Sequence, residues 1–180
     1  MQRHATPHLR SRGITLTEAM LAMAVCLVAV GSAAPGFEAA RERRHLEGVA
    51  AQLETDLQLA RSEAVALNRT LHVGFRSDAA GACYVVHTGA PKECDCSGAQ
   101  PACTGGALAL RSVRIDAASG VTLAANVRSM TFDPLQATVT PTSTMRVLAR
   151  DGREIRKIVN IMGRVRTCSP QGGIAGVPAC

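Results

Sequence analysis

A single carboxylate inside a long apolar run is the feature that most constrains this chain. The run at 14–37 contains 24 residues, and Glu18 is its one charged side chain. As a helix with about 1.5 Å per residue it is roughly 36 Å long, enough to cross a hydrocarbon core of about 30 Å. A lone charge at that depth costs on the order of 2.5–3.5 kcal/mol. We therefore expect Glu18 to meet a group of opposite charge.

Two common kinds of N-terminal segment match the apolar run but do not explain why it contains a carboxylate at Glu18. The basic residues Arg3, Arg10 and Arg12 come first, then the apolar run, then the small residues of GSAAP. This is the order of a cleaved secretory signal. A signal anchor that is not cleaved has the same basic and apolar parts. Neither kind of segment needs a carboxylate near the start of its apolar run.

The stretch RGITLTE, residues 12–18, resembles the class III leader of type IV pilins and pseudopilins. The resemblance implies that a prepilin peptidase cleaves after Gly13 and methylates Ile14, where the family usually has Phe. It also implies that Glu18, at the fifth mature position, pairs with the terminal amine of a neighbouring pilin during filament assembly. That amine would supply the opposite charge that offsets the buried carboxylate.

Beyond the run, apolar residues recur at steps of three and four and predict one face of an amphipathic helix. These residues are Leu46, Val49, Leu53, Leu57, Ala60, Ala64 and Leu67. We expect one long helix over residues 15–67 that ends at Asn68, with its second half packed on a globular head. The predicted organisation is a leader at 1–13, a transmembrane and assembly helix at 14–37, an amphipathic helix at 38–68 and a β-rich head at 69–180.

Short segments of strand type follow the helix, separated by Gly, Pro and Ser. The segments are residues 70–75, 83–88, 107–115, 120–125, 129–132, 144–149 and 154–161. The dipeptide Asp151-Gly152 predicts a hairpin between the last two of them, and residues 90–106 predict an irregular loop. A helix followed by strands in this order favours an α+β fold with antiparallel sheets, and the whole resembles a type IV pilin.

Six of the seven cysteines lie in the predicted head, and Cys26 lies in the apolar run. The pilin resemblance implies export of the head to an oxidising compartment, which favours disulfides. Fifteen pairings are possible. We expect Cys168–Cys180 to close the C-terminal tail and the loop cysteines to pair locally or with Cys83. The alternative is a zinc site, although the spacing differs from standard zinc motifs; its ligands would be Cys83, Cys94, Cys96 and Cys103.

No arrangement of residues in the sequence indicates catalysis. A Ser/His/Asp set, a pair of carboxylates and a glycine-rich phosphate loop cannot be identified, so we expect neither an enzyme nor a cofactor. His72 and His87 lie singly in predicted strands, where packed or solvated histidines are expected rather than metal ligands. Aromatic residues make up 2% of the chain, which argues against recognition of nucleic-acid bases by stacking.

The C-terminal region concentrates positive charge. Residues 146–166 hold seven cations against two anions, a net +5, and the chain without the three leader arginines has 17 Lys and Arg against 14 Asp and Glu, a net +3.

Arg164 and Arg166 would share a face of an extended segment, and Gly163 permits an unusual backbone angle or a close approach. Two adjacent guanidiniums match successive phosphates. The alternative is a solvated strand face. The candidate DNA-binding residues are Gly163, Arg164, Arg166, Arg156, Lys157 and Arg153.

The motif GRVRTC, residues 163–168, follows a pilin-type leader and a helix-then-strands order. Together they resemble the GspH/FimT family of minor pilins and pseudopilins, and most of all its FimT branch. That branch carries a GRxR motif in its C-terminal tail that binds DNA during natural transformation. The resemblance implies a minor type IV pilin that binds double-stranded DNA without sequence specificity. It also implies a single-pass inner-membrane protein with a periplasmic head, which then joins other major and minor pilins in a pilus or pseudopilus.

The alternative function is structural. A type II secretion pseudopilin H, or a minor pilin that primes filament assembly, would use Gly13, Ile14 and Glu18 in the same way without binding DNA. The exposure of Arg164 and Arg166 separates the two functions, because a DNA-binding subunit needs both guanidiniums to face solvent.

The variant Glu18→Ala tests the predicted role of this carboxylate. We expect it to be processed like the wild type but to enter filaments in far smaller amounts, because the neighbouring terminal amine loses its counter-charge. Immunoblots of sheared filaments measure the incorporated fraction. Incorporation at the wild-type level would contradict the proposed pairing.

Overall fold

The computed structural model describes residues 15–170 and 172–180. The chain divides into two compact units, Met1–Ala40 and Arg41–Cys180. The second unit, called the head from here on, contains both hydrophobic clusters of the described residues and all three of their disulfides. A unit with its own core and cross-links is expected to fold by itself.

Helix α1, which spans Leu16–Ala66, begins with a side-chain cap. The backbone N–H of Glu18 donates to Thr15 Oγ1 over 3.3 Å, so one of the unpaired amides at the helix start gains an acceptor. Glu18 lies in the first turn, where a carboxylate interacts favourably with the helix dipole. Its exposed side chain therefore has a local stabilising role, while its role in filament assembly stays a prediction.

The predicted membrane helix at 14–37 corresponds to the first part of α1. Among the described residues, no single straight helix combines the length and the hydropathy of a membrane span. The two parts of α1 on either side of a bend, Leu16–Ser32 and Gly36–Ala66, meet both criteria only when taken together. The predicted cleavage and methylation positions, Gly13 and Ile14, lie outside the described residues.

Helix α1 ends in a Schellman motif. The N–H of Arg69 donates to the carbonyl oxygen of Ala64 over 3.0 Å, which closes the wider of the two loops. The N–H of Asn68 donates to the carbonyl oxygen of Val65 over 3.2 Å. Asn68 has a φ of 49°, a left-handed angle that Asn tolerates. The predicted end at Asn68 is confirmed. The expectation that Leu67 belongs to the packed face is wrong, because it lies past the last helical turn and is 48% exposed.

Eleven short strands follow α1 in the described residues, and each pairs with its neighbours in antiparallel fashion. The strands are β1 Leu71–Asp78, β2 Gly81–His87, β3 Cys94–Asp95, β4 Ala102–Cys103, β5 Ala109–Asp116, β6 Val121–Ala125, β7 Ser129–Phe132, β8 Val139–Thr140, β9 Ser143–Ala149, β10 Glu154–Val159 and β11 Val165–Cys168. The first sheet has the order β5-β2-β1-β7-β8 and the second the order β11-β10-β9-β6, while β3 and β4 form a separate ribbon. The predicted pilin-like α+β fold with antiparallel sheets is confirmed.

All seven predicted segments contain a strand, and the strands that were not predicted are β3, β4, β8 and β11. The hairpin at Asp151-Gly152 is confirmed, since Gly152 has a φ of 87° and its N–H donates to the carbonyl oxygen of Ala149 over 3.1 Å. It joins β9 and β10, the last two of the predicted segments. Strand β11 follows them and was not predicted. The loop at 90–106 is not wholly irregular, because β3 and β4 pair within it.

The inward face of α1 forms the centre of the main hydrophobic cluster of the head. Five residues of the predicted stripe are buried, Ala50 joins them, and Val49 is partly buried. The buried set is Leu46, Ala50, Leu53, Leu57, Ala60 and Ala64. The same cluster includes Val73 of the first sheet and Val147 of the second. Helix and both sheets therefore share one core, to which each buried Leu contributes roughly 1.5–3 kcal/mol.

The cysteines of the head form three disulfides in the described residues. The pairs are Cys83–Cys96, Cys94–Cys103 and Cys168–Cys180. The expected closure of the tail is confirmed, and the loop cysteines pair as expected, once locally and once with Cys83. Because Cys83 and the three loop cysteines are all bonded, the thiolates that the zinc alternative needs are absent. Cys26 is exposed and carries no disulfide.

Two buried histidines, His72 of β1 and His87 of β2, lie directly opposite each other. Their ring centroids are 5.7 Å apart, and His72 Nδ1 lies 3.0 Å from Thr131 Oγ1. Burial lowers the pKa of His72, and the neighbouring His87 lowers it further, because the charged imidazolium loses its hydration. The folded head therefore favours neutral His72.

This burial predicts that the head loses stability in mild acid. The pKa of His72 in the unfolded chain is about 6.5 and is lower in the fold, so unfolding takes up a proton. The free energy of unfolding therefore falls as the pH decreases below about 6.5. Denaturant unfolding of the head between about pH 8 and pH 5 measures this.

The variant His72→Gln should weaken that pH dependence. The matched control is His45→Gln, at an exposed position of α1, which should keep the dependence of the wild type. An undiminished dependence in His72→Gln would show that other groups cause it.

Candidate nucleic-acid interface

The predicted GRVR motif occupies the end of the turn between β10 and β11 and the first two residues of β11. The N–H of Gly163 donates to the carbonyl oxygen of Asn160 over 2.9 Å, and the N–H of Arg164 donates to Asn160 Oδ1 over 2.9 Å. The N–H of Asn160 donates in turn to the carbonyl oxygen of Arg164 over 3.2 Å. Asn160 therefore stabilises the turn with its backbone and its side chain, and it fixes the position of the Arg164 backbone.

Gly163 is buried and has a φ of 69°, a left-handed angle that favours glycine. A Cβ atom at this position would lie 2.9 Å from both Cδ and Nε of Arg61 and 3.3 Å from Val139 Cγ2. The unusual backbone angle expected of Gly163 is therefore present. The group in close approach is the side chain of Arg61 from α1.

The arginines of β9 and β10 are partly neutralised by a buried carboxylate. Glu154 Oε1 lies 2.8 Å from Arg146 Nε and 2.6 Å from Arg156 Nε. The hydrogen bond from Arg146 and the weaker contribution of Arg156 lower the pKa of Glu154 to about 2, so this side chain is charged at neutral pH. Arg156, a predicted DNA-binding residue, is therefore paired with Glu154, which offsets part of its positive charge.

Lys157 lies in a different environment from the one predicted. It is 3% exposed, and its Nζ donates to Glu54 of α1 and to Thr167 Oγ1 of β11. The hydrogen bond from Lys157 lowers the pKa of Glu54, so the two groups form an ion pair at neutral pH. The expectation that Lys157 contacts DNA directly is wrong, because strand alternation turns its ammonium towards α1 instead of solvent.

The arginines at the β9–β10 turn are also bonded within the head. Arg153 is partly buried, is paired with Asp151, and has Glu42 of α1 at 3.9 Å. Arg150 donates to the carbonyl oxygen of Ala118 over 3.1 Å. Arg153, another predicted DNA-binding residue, is therefore engaged in ion pairs.

Arg164 and Arg166 differ from the other five cations of the basic region. Both are exposed, and neither guanidinium has an ion pair or a hydrogen bond within residues 15–170 and 172–180. Arg164 precedes β11, which begins at Val165, so the strand alternation that predicted a common face applies to Arg166 alone. Arg166 lies on the edge strand of the second sheet. The structure thus leaves two cations at the hairpin available for an external anion.

The segment after the motif is tied back to the head. Cys168, the last residue of β11, is bonded to Cys180, and the N–H of Ser169 donates to the carbonyl oxygen of Pro178 over 2.8 Å. Ile174 is buried in the main cluster. These contacts hold the end of β11, and with it Arg166, in one place.

A groove of about 810 Å³ lies between α1 and the hairpin. Helix residues Gln58, Arg61 and Val65 line one side, and the motif residues Gly163 and Arg164 line the other. The pattern of α1 predicts Arg61 on a polar face. It carries no signal that this face meets the GRVR turn, because contacts between distant segments depend on the fold.

The family described as "Type II transport protein GspH" matches residues 49–163, which is more than half of the chain. A crystal structure of the type IV minor pilin FimU of Pseudomonas aeruginosa PAO1 in space group P21 matches with a TM-score of 0.52 and 24% identity, covering 72% of this chain and 96% of that chain. The P65 crystal form of FimU matches with a TM-score of 0.50 and 20% identity, covering 69% and 97%. At these identities the likeness shows the fold. No curated protein matches the sequence.

The contact between Gly163 and Arg61 can be measured by adding a methyl group. We expect Gly163→Ala to destabilise the head by about 1–2 kcal/mol through the left-handed angle and by roughly 1–3 kcal/mol more through crowding. Denaturant unfolding measures the sum of the two effects. The control is Gly152→Ala, because Gly152 has a φ of 87° but no atom within 4 Å of its added Cβ.

A double variant separates the two effects. In Arg61→Ala/Gly163→Ala the crowding should disappear while the cost of the backbone angle remains, so the two substitutions should not be additive. Equal destabilisation by Gly163→Ala and Gly152→Ala, with additive effects in the double variant, would exclude the contact.

Proposed function

Because the chain belongs to the GspH family, we propose that it is a minor type IV pilin whose head binds double-stranded DNA without sequence specificity. One observation supports this function above the others. Arg164 and Arg166 are exposed and unpaired in the described structure, while the other five cations of the basic region are bonded within the head. Guanidiniums without an intramolecular partner offer their planar sets of donors to phosphate.

The proposed binding acts through the DNA backbone. Each arginine donates N–H groups to phosphate oxygens and releases condensed counterions, so binding weakens with salt by a log–log slope of about −0.9 per phosphate. Phosphate contacts carry no direct sequence information. A head with few such contacts binds weakly, and we expect dissociation constants of roughly 10⁻⁴–10⁻⁶ M.

The pilin part of the proposal concerns the other predicted sites. A prepilin peptidase would cleave after Gly13 and methylate Ile14, and the helix at 14–37 would anchor the subunit in the inner membrane with its head in the periplasm. Glu18 would then pair with a neighbouring pilin in the filament. Retraction of a pilus that carries this subunit would draw bound DNA to the cell, which supports uptake in natural transformation.

A structural subunit is the second candidate function. The description of the matching family as a type II transport protein favours a secretion pseudopilin, and a pilus-priming minor pilin belongs to the same class. In that case Arg164 and Arg166 are only solvated, and the head has no affinity for DNA.

The double variant Arg164→Gln/Arg166→Gln tests the proposed function. We would titrate the soluble head with a DNA duplex of mixed sequence at low and moderate salt, and we expect the wild type to bind and the variant to bind far more weakly. The salt slope should decrease in magnitude by about 1.8, because two phosphate contacts are lost.

The control variant removes the same charge elsewhere. Lys92 and Arg128 are exposed and line another groove together, so Lys92→Gln/Arg128→Gln should bind almost as the wild type does. Equal weakening by both double variants would indicate an effect of net charge alone. Absence of binding by the wild-type head at high micromolar concentration would favour the structural subunit.

A further inference from the structure

The groove between α1 and the hairpin β10–β11 carries positive charge on both of its sides. Arg164 lines it from the hairpin and Arg61 from the helix. Among the described residues that line it, none is acidic. The nearby Glu54 is already paired with Lys157. The groove therefore favours an anion, and its charge is not cancelled by its own lining.

Arg61 is held in the groove by a hydrogen bond and lies close to Gly163. Its Nε donates to the carbonyl oxygen of Ala137 over 3.3 Å, and its Cδ and Nε lie 2.9 Å from the place where Gly163 would carry a side chain. With Nε bonded, the terminal amino groups of the guanidinium are the donors that remain. The side chain is partly exposed. An anion that binds here meets a side chain already ordered by folding, which lowers the entropy cost of binding.

We propose that Arg61 is a third DNA-contacting cation, and that the groove seats one phosphodiester backbone between Arg61 and Arg164. The proposal rests on the proposed function. It fits the backbone of DNA because the backbone is a continuous line of anions, so Arg61 and Arg164 can each neutralise a separate phosphate of one strand. It also explains the glycine of the motif, since only a residue without a side chain leaves room for Arg61.

The proposed binding site lies on two parts of the chain that are distant in sequence, α1 and the hairpin β10–β11. Arg61 belongs to α1, while Arg164 and Arg166 belong to the turn and the last strand of the hairpin. Three phosphate contacts give an expected salt slope of roughly −2.7 for the head, against about −1.8 for the motif arginines alone.

Single substitutions at Arg61 test this contact in the soluble head, with a short DNA duplex as the probe. We expect Arg61→Gln to weaken binding and to decrease the magnitude of the salt slope by about 0.9. Arg61→Lys keeps the charge and should keep most of the slope. The matched control is Arg44→Gln, at an exposed position of the same helix. It removes the same charge and should bind as the wild type does. Thermal unfolding of each variant checks that the head is folded.

Two results would overturn the inference while leaving the proposed function intact. The first is an Arg61→Gln head with wild-type affinity and slope, beside an Arg164→Gln/Arg166→Gln head that has lost binding. The second is an Arg61→Lys head that binds as weakly as Arg61→Gln, which would make Arg61 a residue that only positions the turn. If the wild-type head does not bind DNA at all, the proposed function fails and the inference fails with it.

Discussion

Burial of the apolar face of α1 is the interaction on which the rest of the head depends. The stripe that includes Leu46, Leu53 and Leu57 shares one hydrophobic cluster with strands of both sheets, so the helix is packed against two sheets that are hydrogen-bonded separately. Its packing also fixes which other residues of the helix reach the hairpin β10–β11. Glu54 and Arg61 are seven positions apart and therefore lie on one helix face, and they contact Lys157 and Gly163 respectively.

Most of the positive charge in the C-terminal region has a structural role. Glu154 lies between two arginines, and Glu54 pairs with a buried lysine. Removing Glu54 would cost several kcal/mol, because the buried ammonium of Lys157 would be left uncompensated. A high local charge in the sequence is therefore a poor measure of the charge that a ligand meets. The relevant quantity is the number of cations without an internal partner, and for residues 146–166 in the described structure it is two.

The two unpaired arginines are presented by a restrained segment. Asn160 shapes the turn before them, and the Cys168–Cys180 disulfide and buried Ile174 hold the chain after them. The proposed contacts to phosphate would gain from such restraint, because less conformational freedom would be lost on binding.

Much of the fold was predictable because the forces that form it are local. The helical stripe, the turn at Asp151-Gly152 and the helix end at Asn68 each depend on residues within a few positions of one another. Strands β3, β4 and β8 have two residues each, too few for alternation to be visible, and they form because neighbouring strands supply hydrogen bonds.

Part of the candidate site was also predictable from the sequence, and part depends on tertiary contacts. The motif at 163–166 is visible in the sequence, since glycine and arginine have distinct backbone and charge properties wherever they stand. In the sequence, Lys157 and Arg166 are equally plausible DNA-binding residues. The pairing of β10 with β11 and the position of α1 bury Lys157 and leave Arg166 exposed. The contact of Arg61 with Gly163 joins segments far apart in the chain. The sequence by itself determined which residues carry the charge, and the tertiary structure decided which of those charges face outwards, because burial and pairing depend on neighbours that local patterns do not specify.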